Sequence, residues 1–150
     1  MLEDSKYYTP SIDEFFVGFE YEMYNPELQI WESKVIKNSE HLCYFLFNSN
    51  NKTWREDCKD VVRVKHLDES DIESLGWIDI SNEDSPFDLK SYTYKTYILI
   101  RDNLTNIKIF KMDLNKDFRG ELFQGTIKNI SELRKLLKQI GISDTLTKLN

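Results

Sequence analysis

Glu20 and Glu22, within FFVGFEYEM at 15–23, are the residues whose type and spacing first suggest chemistry. Apolar residues alternate through the stretch (Phe15, Val17, Phe19, Tyr21, Met23), and that period of two predicts a strand. The two carboxylates then project from one face, about 6.5–7 Å apart along the strand. At that spacing they could hold a divalent cation between them or work as an acid/base pair. The plainer expectation is the solvated face of an edge strand. Val17, Phe19, Tyr21 and Met23 would then be buried against the core, with both glutamates toward water. Like charges on such a face also discourage edge pairing.

A second set of reactive types is His41, Cys43, Cys58 and His66. On a strand His41 and Cys43 would share a face, but the gaps of 14 and 7 residues to Cys58 and then His66 match no usual zinc spacing. Cys43 sits in an apolar run and reads as a buried, inert thiol. A Cys43/His66 nucleophile pair has no flanking signature to support it. Tyr92, Tyr94, Lys95 and Arg101 have the composition of a stacking platform for single strands. Yet Tyr92 and Tyr94 face opposite to Lys95 on a strand, so core plus amphipathic surface is the simpler reading. Lys128, Arg134, Lys135 and Lys138 make a basic helix face whose simplest role is to complement the helix dipole. Neither a glycine-rich phosphate loop, a Ser-His-Asp order nor HExxH occurs. No catalytic residue is therefore assigned, Glu20 and Glu22 are the only metal candidates, and no cofactor is expected.

The elements that must position these residues are mostly strands. QIWESKVI (29–36), HLCYFLFN (41–48), VVRVKHL (61–67) and WIDIS (77–81) follow the acidic strand, and KTWRED after 51 reads as a returning hairpin arm. YTYKTYILIR (92–101) and NIKIFKMD (106–113) flank DNLT and predict a long antiparallel hairpin. ELFQGTIK (121–128) is the last strand. Asp68 caps a short helix near 69–75 that closes at Gly76. Asn129 and Glu132 form a capping box for a helix over 130–140, with Ile130, Leu133, Leu136, Leu137 and Ile140 as its apolar stripe. Gly141 and Ile142 should close it in a Schellman arrangement. The fold expected is α+β: one domain over 1–150, built on a mostly antiparallel, twisted sheet of six to eight strands. Whether that sheet is open or closed into a barrel is left undecided. Repeated βα units are missing, which argues against a parallel doubly wound sheet.

Composition narrows the partners. Three Trp, eight Tyr and nine Phe are ample for a core and also supply anchors at interfaces. The net charge is −6, and residues 1–33 carry eight acids against Lys6 alone. An acidic chain repels phosphate backbones and anionic membranes at long range, so nucleic acid and membrane are disfavoured partners. The opening MLEDSKYYTP lacks the basic and apolar regions of a signal peptide, and no stretch approaches a membrane span. An intracellular protein with reduced thiols is expected.

Two resemblances add to this reading. Gly18, Glu20 and Glu22 resemble the first-strand motif of glutamate–amine ligases and related amidoligases, whose paired glutamates ligate the magnesium ions that hold ATP. The match extends to nothing else in the chain, which is shorter than such a ligase and carries no basic phosphate-binding motif after it. More widely, YYTPSIDEFFVGFEYE (7–22), VRVKHLDESDIESLGW (62–77) and GTIKNISELRKLLKQIGI (125–142) resemble a group of small uncharacterised proteins of bacteriophages and prophages of gut bacteria. That group's pattern runs TP-x-I-E-E-F…GFEYE, then LD-x-x-DIESLGW, then IKNKSELKKLLKQLGI. The chain departs from it at Asp13 for Glu, Phe16 for His and Ile130 for Lys. Phe16 removes a histidine two residues from Gly18, which weakens any metal or acid/base site there. The resemblance implies phage or prophage origin and action in the cytoplasm of a bacterial host, or within the virion, and no activity. The function expected is non-catalytic: a domain that binds a host or phage protein, or itself, through a sheet edge or aromatic surface. The alternatives are a metal- or nucleotide-binding enzyme using Glu20 and Glu22, and a binder of single-stranded nucleic acid.

Overall fold

Alternating sequence becomes strand over most of the chain, and the exceptions are instructive. The computed structural model describes residues 6–48, 61–82, 89–102, 105–115 and 117–142. Among them are three α-helices and nine strands in two open antiparallel sheets, an α+β architecture. The strands are thus divided between a four-stranded and a five-stranded sheet, where one sheet of six to eight was expected. Two compact units contain them, Met1–His66 and Leu67–Asn150.

The first unit holds β1 (Tyr7–Tyr8), a 3₁₀ turn (Ile12–Glu14), β2 (Glu20–Asn25), β3 (Ile30–Val35), α1 (Ser39–Asn48) and β4 (Val62–Lys65), with sheet order β1-β4-β2-β3. Its core is Phe15, Phe19, Tyr21, Ile36, Val62 and Val64. Phe19 contacts the rings of Phe15 and Phe16, with centroids 4.9 and 5.4 Å away. The acidic strand begins at Glu20, not at Phe15. Gly18 has φ 98°, a left-handed conformation open to glycine at little cost, and it turns the chain just before the strand. The Gly18 amide donates to the Ile36 carbonyl at 2.7 Å, and the Ile36 amide to that of Phe19 at 3.0 Å. Val17 falls on this turn and is 49% exposed, against the expectation of burial. Met23 shares the face of Tyr21 but lies beyond the apolar cluster and is 37% exposed. Phe19 and Tyr21 are buried as expected.

HLCYFLFN is helix rather than strand. An unbroken apolar run has no period of its own, and length alone does not separate the two states. Capping decides: Asn38 Oδ1 accepts from the His41 amide at 2.8 Å, and the Asn38 carbonyl accepts from the Leu42 amide at 3.1 Å.

The second unit is a meander. After α2 (Glu69–Ser74) come β5 (Ile78–Asp79), β6 (Lys90–Tyr94), β7 (Tyr97–Asp102), β8 (Asn106–Met112) and β9 (Phe118–Thr126), paired in sequence order, and then α3 (Ile130–Gln139). The stretch 92–101 is not one strand: it folds on itself at Lys95-Thr96, where Tyr94 pairs with Tyr97 and Lys95 takes φ 54°. Both helix caps form. The Asp68 carboxylate accepts from the Asp71 amide at 3.0 Å and Asp71 accepts from the Asp68 amide at 3.1 Å. Asn129 Oδ1 accepts from the Glu132 amide at 3.0 Å, while Glu132 reaches the Lys128 amide at 2.7 Å. Gly141 (φ 77°) closes α3, and the Ile142 amide donates to the Leu137 carbonyl at 2.9 Å, the Schellman bond. Leu133, Leu136 and Leu137 pack with Tyr92, Leu99, Ile107 and Ile109 of the sheet. Each buried aliphatic side chain contributes about 1.5–3 kcal/mol of transfer free energy.

Candidate functional site

Glu20 and Glu22 do share a face of β2, and the register shows what stands beside them. Glu22 lies opposite Arg63 on β4 and Ser33 on β3, Glu20 opposite Val35, and Tyr24 opposite Trp31. Tyr7 on β1 pairs with Lys65, one same-face step from Arg63. Alternation therefore lifts Tyr7, Arg63, Glu22 and Trp31 on the side opposite the core.

Those four side chains form one assembly. Arg63 Nε donates to Glu22 Oε2 at 2.7 Å. The guanidinium carbon lies 3.8 Å from the ring centroid of Tyr7 and 4.1 Å from that of Trp31, so an aromatic ring covers each of its faces. Tyr24 supports Trp31 with ring centroids 5.4 Å apart. All four strands of the sheet contribute to this group, which fastens them together from the wet side. Glu20 remains exposed and stands one same-face step from Glu22. Glu20 is thus the exposed member of the pair, and Glu22 is ion-paired with Arg63.

The other sequence candidates fall elsewhere. His41 and Cys43 lie two positions apart on α1, so they point in different directions rather than sharing a face. Cys43 is exposed rather than buried. His66 stacks on Tyr8 with ring centroids 4.7 Å apart. Cys58, the KTWRED arm and most of DNLT's tip lie outside the described residues. Tyr92 and Arg101 are buried in the second unit, where the Arg101 guanidinium donates to the Leu67 carbonyl at 2.8 Å. Neither is part of a stacking surface. Lys95 lies at the hairpin turn, Tyr94 packs against Trp77, and Arg134, Lys135 and Lys138 line the exposed side of α3. Among the described residues, no three His, Cys, Asp or Glu side chains converge to hold a metal ion.

The five-stranded sheet has a second feature that periodicity alone does not reveal. Its core face meets α3, and its opposite face carries several large apolar residues among polar ones. One cross-strand row runs Ile78–Thr93–Ile98–Phe110–Glu121, and the next runs Ile80–Ser91–Ile100–Lys108–Gln124. Phe118 joins them beside Phe110, with ring centroids 5.8 Å apart, and pairs with Met112. Ile78 and Phe118, at opposite edges, are 65% and 61% exposed. The signal was present in YILIR and IKIFKM, where apolar residues occupy consecutive positions and so must populate both faces. Register was needed to show which of them align.

Comparison with protein-family models, with curated proteins and with solved structures returned no match. No helix among the described residues is long and apolar enough to cross a membrane.

Proposed function

We propose that the protein is a non-catalytic interaction domain that binds a host or phage protein, or a second copy of itself, through the open face of the five-stranded sheet. One observation carries this reading: Ile78, Ile80, Ile98, Ile100, Phe110 and Phe118 occupy the face opposite the core. An antiparallel sheet with one face in water ordinarily places polar residues there. Thr93 and Ser91 separate the β5 isoleucines from the rest, and Ile98, Ile100, Phe110 and Phe118 on neighbouring strands form the larger cluster, of the kind that marks a contact site. The face is favoured over the β9 edge. Register shifts at Ile109/Phe110 and Lys111/Met112 put bulges in β9, a device that discourages edge pairing.

The resemblance to small phage and prophage proteins supplies the setting, namely the cytoplasm of a bacterial host or the virion. Affinity capture at mild salt, together with sedimentation velocity, tests the proposal. A stoichiometric protein partner or concentration-dependent self-association is the expected result. A strictly monomeric protein that repeatedly captures nothing overturns it. Mass spectrometry of purified virions separates a virion component from a modulator of a host protein.

A further inference from the structure

We propose that the outer edge of the Arg63 guanidinium is a binding site for a carboxylate presented by a partner polypeptide. The site belongs to the first unit and does not rest on the apolar face of the second. Arg63 Nε is committed to Glu22, and the rings of Tyr7 and Trp31 cover both guanidinium faces. What remains is the end formed by Nη1 and Nη2. Among the described residues the hydrogen bond of the Arg63 guanidinium is the one from Nε to Glu22 Oε2, and the side chain keeps 25% of its surface in solvent. Two parallel N–H groups in one plane match the two oxygens of a carboxylate.

Four further points favour this ligand. The rings hold the guanidinium plane in place, so little rotamer freedom is lost on binding. They also exclude water from its faces, which strengthens a charge-assisted bond at its rim. On this face Glu20 and Glu22 stand against Arg63 and Lys65, leaving no surplus positive charge. A planar monoanion suits such a site better than a phosphate dianion, which Glu20 and Glu22 would repel. Tyr7, Trp31 and Tyr24 surround the fork with the residue types that dominate binding energy at interfaces.

The test uses the full chain and follows the Arg63 Nε–H and Trp31 indole N–H resonances by NMR during titration. Acetyl-Ala-Glu-Ala-amide offers a side-chain carboxylate. Acetyl-Ala-Ala-Ala with a free C-terminus offers a terminal one. Acetyl-Ala-Gln-Ala-amide and inorganic phosphate are the comparisons. Saturable shifts at millimolar concentration are expected from at least one carboxylate peptide, and the stronger of the two identifies the source. Arg63→Lys should weaken binding by about fivefold or more, because a single ammonium cannot form the bidentate pair. Glu20→Gln, which leaves the clamp intact, should strengthen it. Unchanged Phe19 and Tyr21 resonances certify the fold of each variant. Equal shifts from the glutamine peptide, stronger shifts from phosphate, or none from either carboxylate overturns the proposal.

Discussion

Arg63 donates from Nε to Glu22 across the β2–β4 ladder at 2.7 Å, joining residues 41 positions apart in sequence. This one bond changes the meaning of the two glutamates in FFVGFEYEM. Their side chains are about a quarter exposed at Glu22 and Arg63, so the ion pair alone contributes little, and the aromatic rings around Arg63 supply the larger share. Arg63→Ala should cost about 1–2 kcal/mol, through two cation–π contacts and the lost pair. Glu22→Ala should cost under about 1 kcal/mol, and Glu20→Ala under about 0.5 kcal/mol as a surface change. Urea unfolding of the three variants checks the order. A Glu20 variant more damaging than the Arg63 variant would contradict it.

The onset of β2 sets a second contrast. Phe19 is fully buried among aromatic rings, whereas Val17 lies on the Gly18 turn. Phe19→Ala should destabilise by about 3–5 kcal/mol. Val17→Ala should stay within about 0.5 kcal/mol. Thermal or urea denaturation distinguishes this from a strand running on from Phe15, in which both changes would be costly.

How much of this was legible in the sequence depended on range. Asp68, Asn129, Gly76 and Gly141 act within a few residues of themselves, and the helices they bound formed where local chemistry placed them. The antiparallel strands followed from period-two alternation. Two features escaped because the deciding interaction lay outside the pattern. HLCYFLFN carries no period, and the Asn38 cap that makes it a helix precedes the run. The Arg63 assembly draws on Tyr7, Glu22, Trp31 and Arg63 from four strands, and alternation states faces but not neighbours. Only the strand order β1-β4-β2-β3 brings them together.

Tyr92 gives a pH-dependent prediction. Its hydroxyl is buried with no hydrogen-bond partner among the described residues, and burial, with a smaller effect from the Glu69 charge, pushes its pKa up to about 12. Burial also raises that of Tyr21. An unfolded tyrosine loses its proton near 10, so between that value and about 12 only the folded state retains it. Stability is therefore intact below pH 10 and falls as pH rises above it. Tyr92→Phe should leave stability unchanged or raise it at neutral pH, since an unsatisfied buried hydroxyl is removed. It should also make the alkaline decline shallower. Urea midpoints measured on both sides of pH 10 decide the matter; an equally steep decline in the variant counts against it.

Occupation of Glu22 by Arg63 bears on the metal reading. A cation between Glu20 and Glu22 would have to displace a guanidinium held by two rings. Calorimetry with Mg²⁺, alone and with ATP, should therefore show no binding heat in the wild type. Heat that disappears in a Glu20→Gln/Glu22→Gln variant would restore the enzyme hypothesis.

The proposed function is tested most directly by asking whether the apolar face itself makes the contact. Ile78→Lys/Phe118→Lys places two charges on that face at positions mostly in solvent, so the fold should be retained. Gln139→Lys places one on the exposed side of α3 as a control. Capture, or self-association by sedimentation velocity, should be lost in the double variant and kept in the control. Retention of the partner at wild-type stoichiometry by a folded double variant would contradict the account.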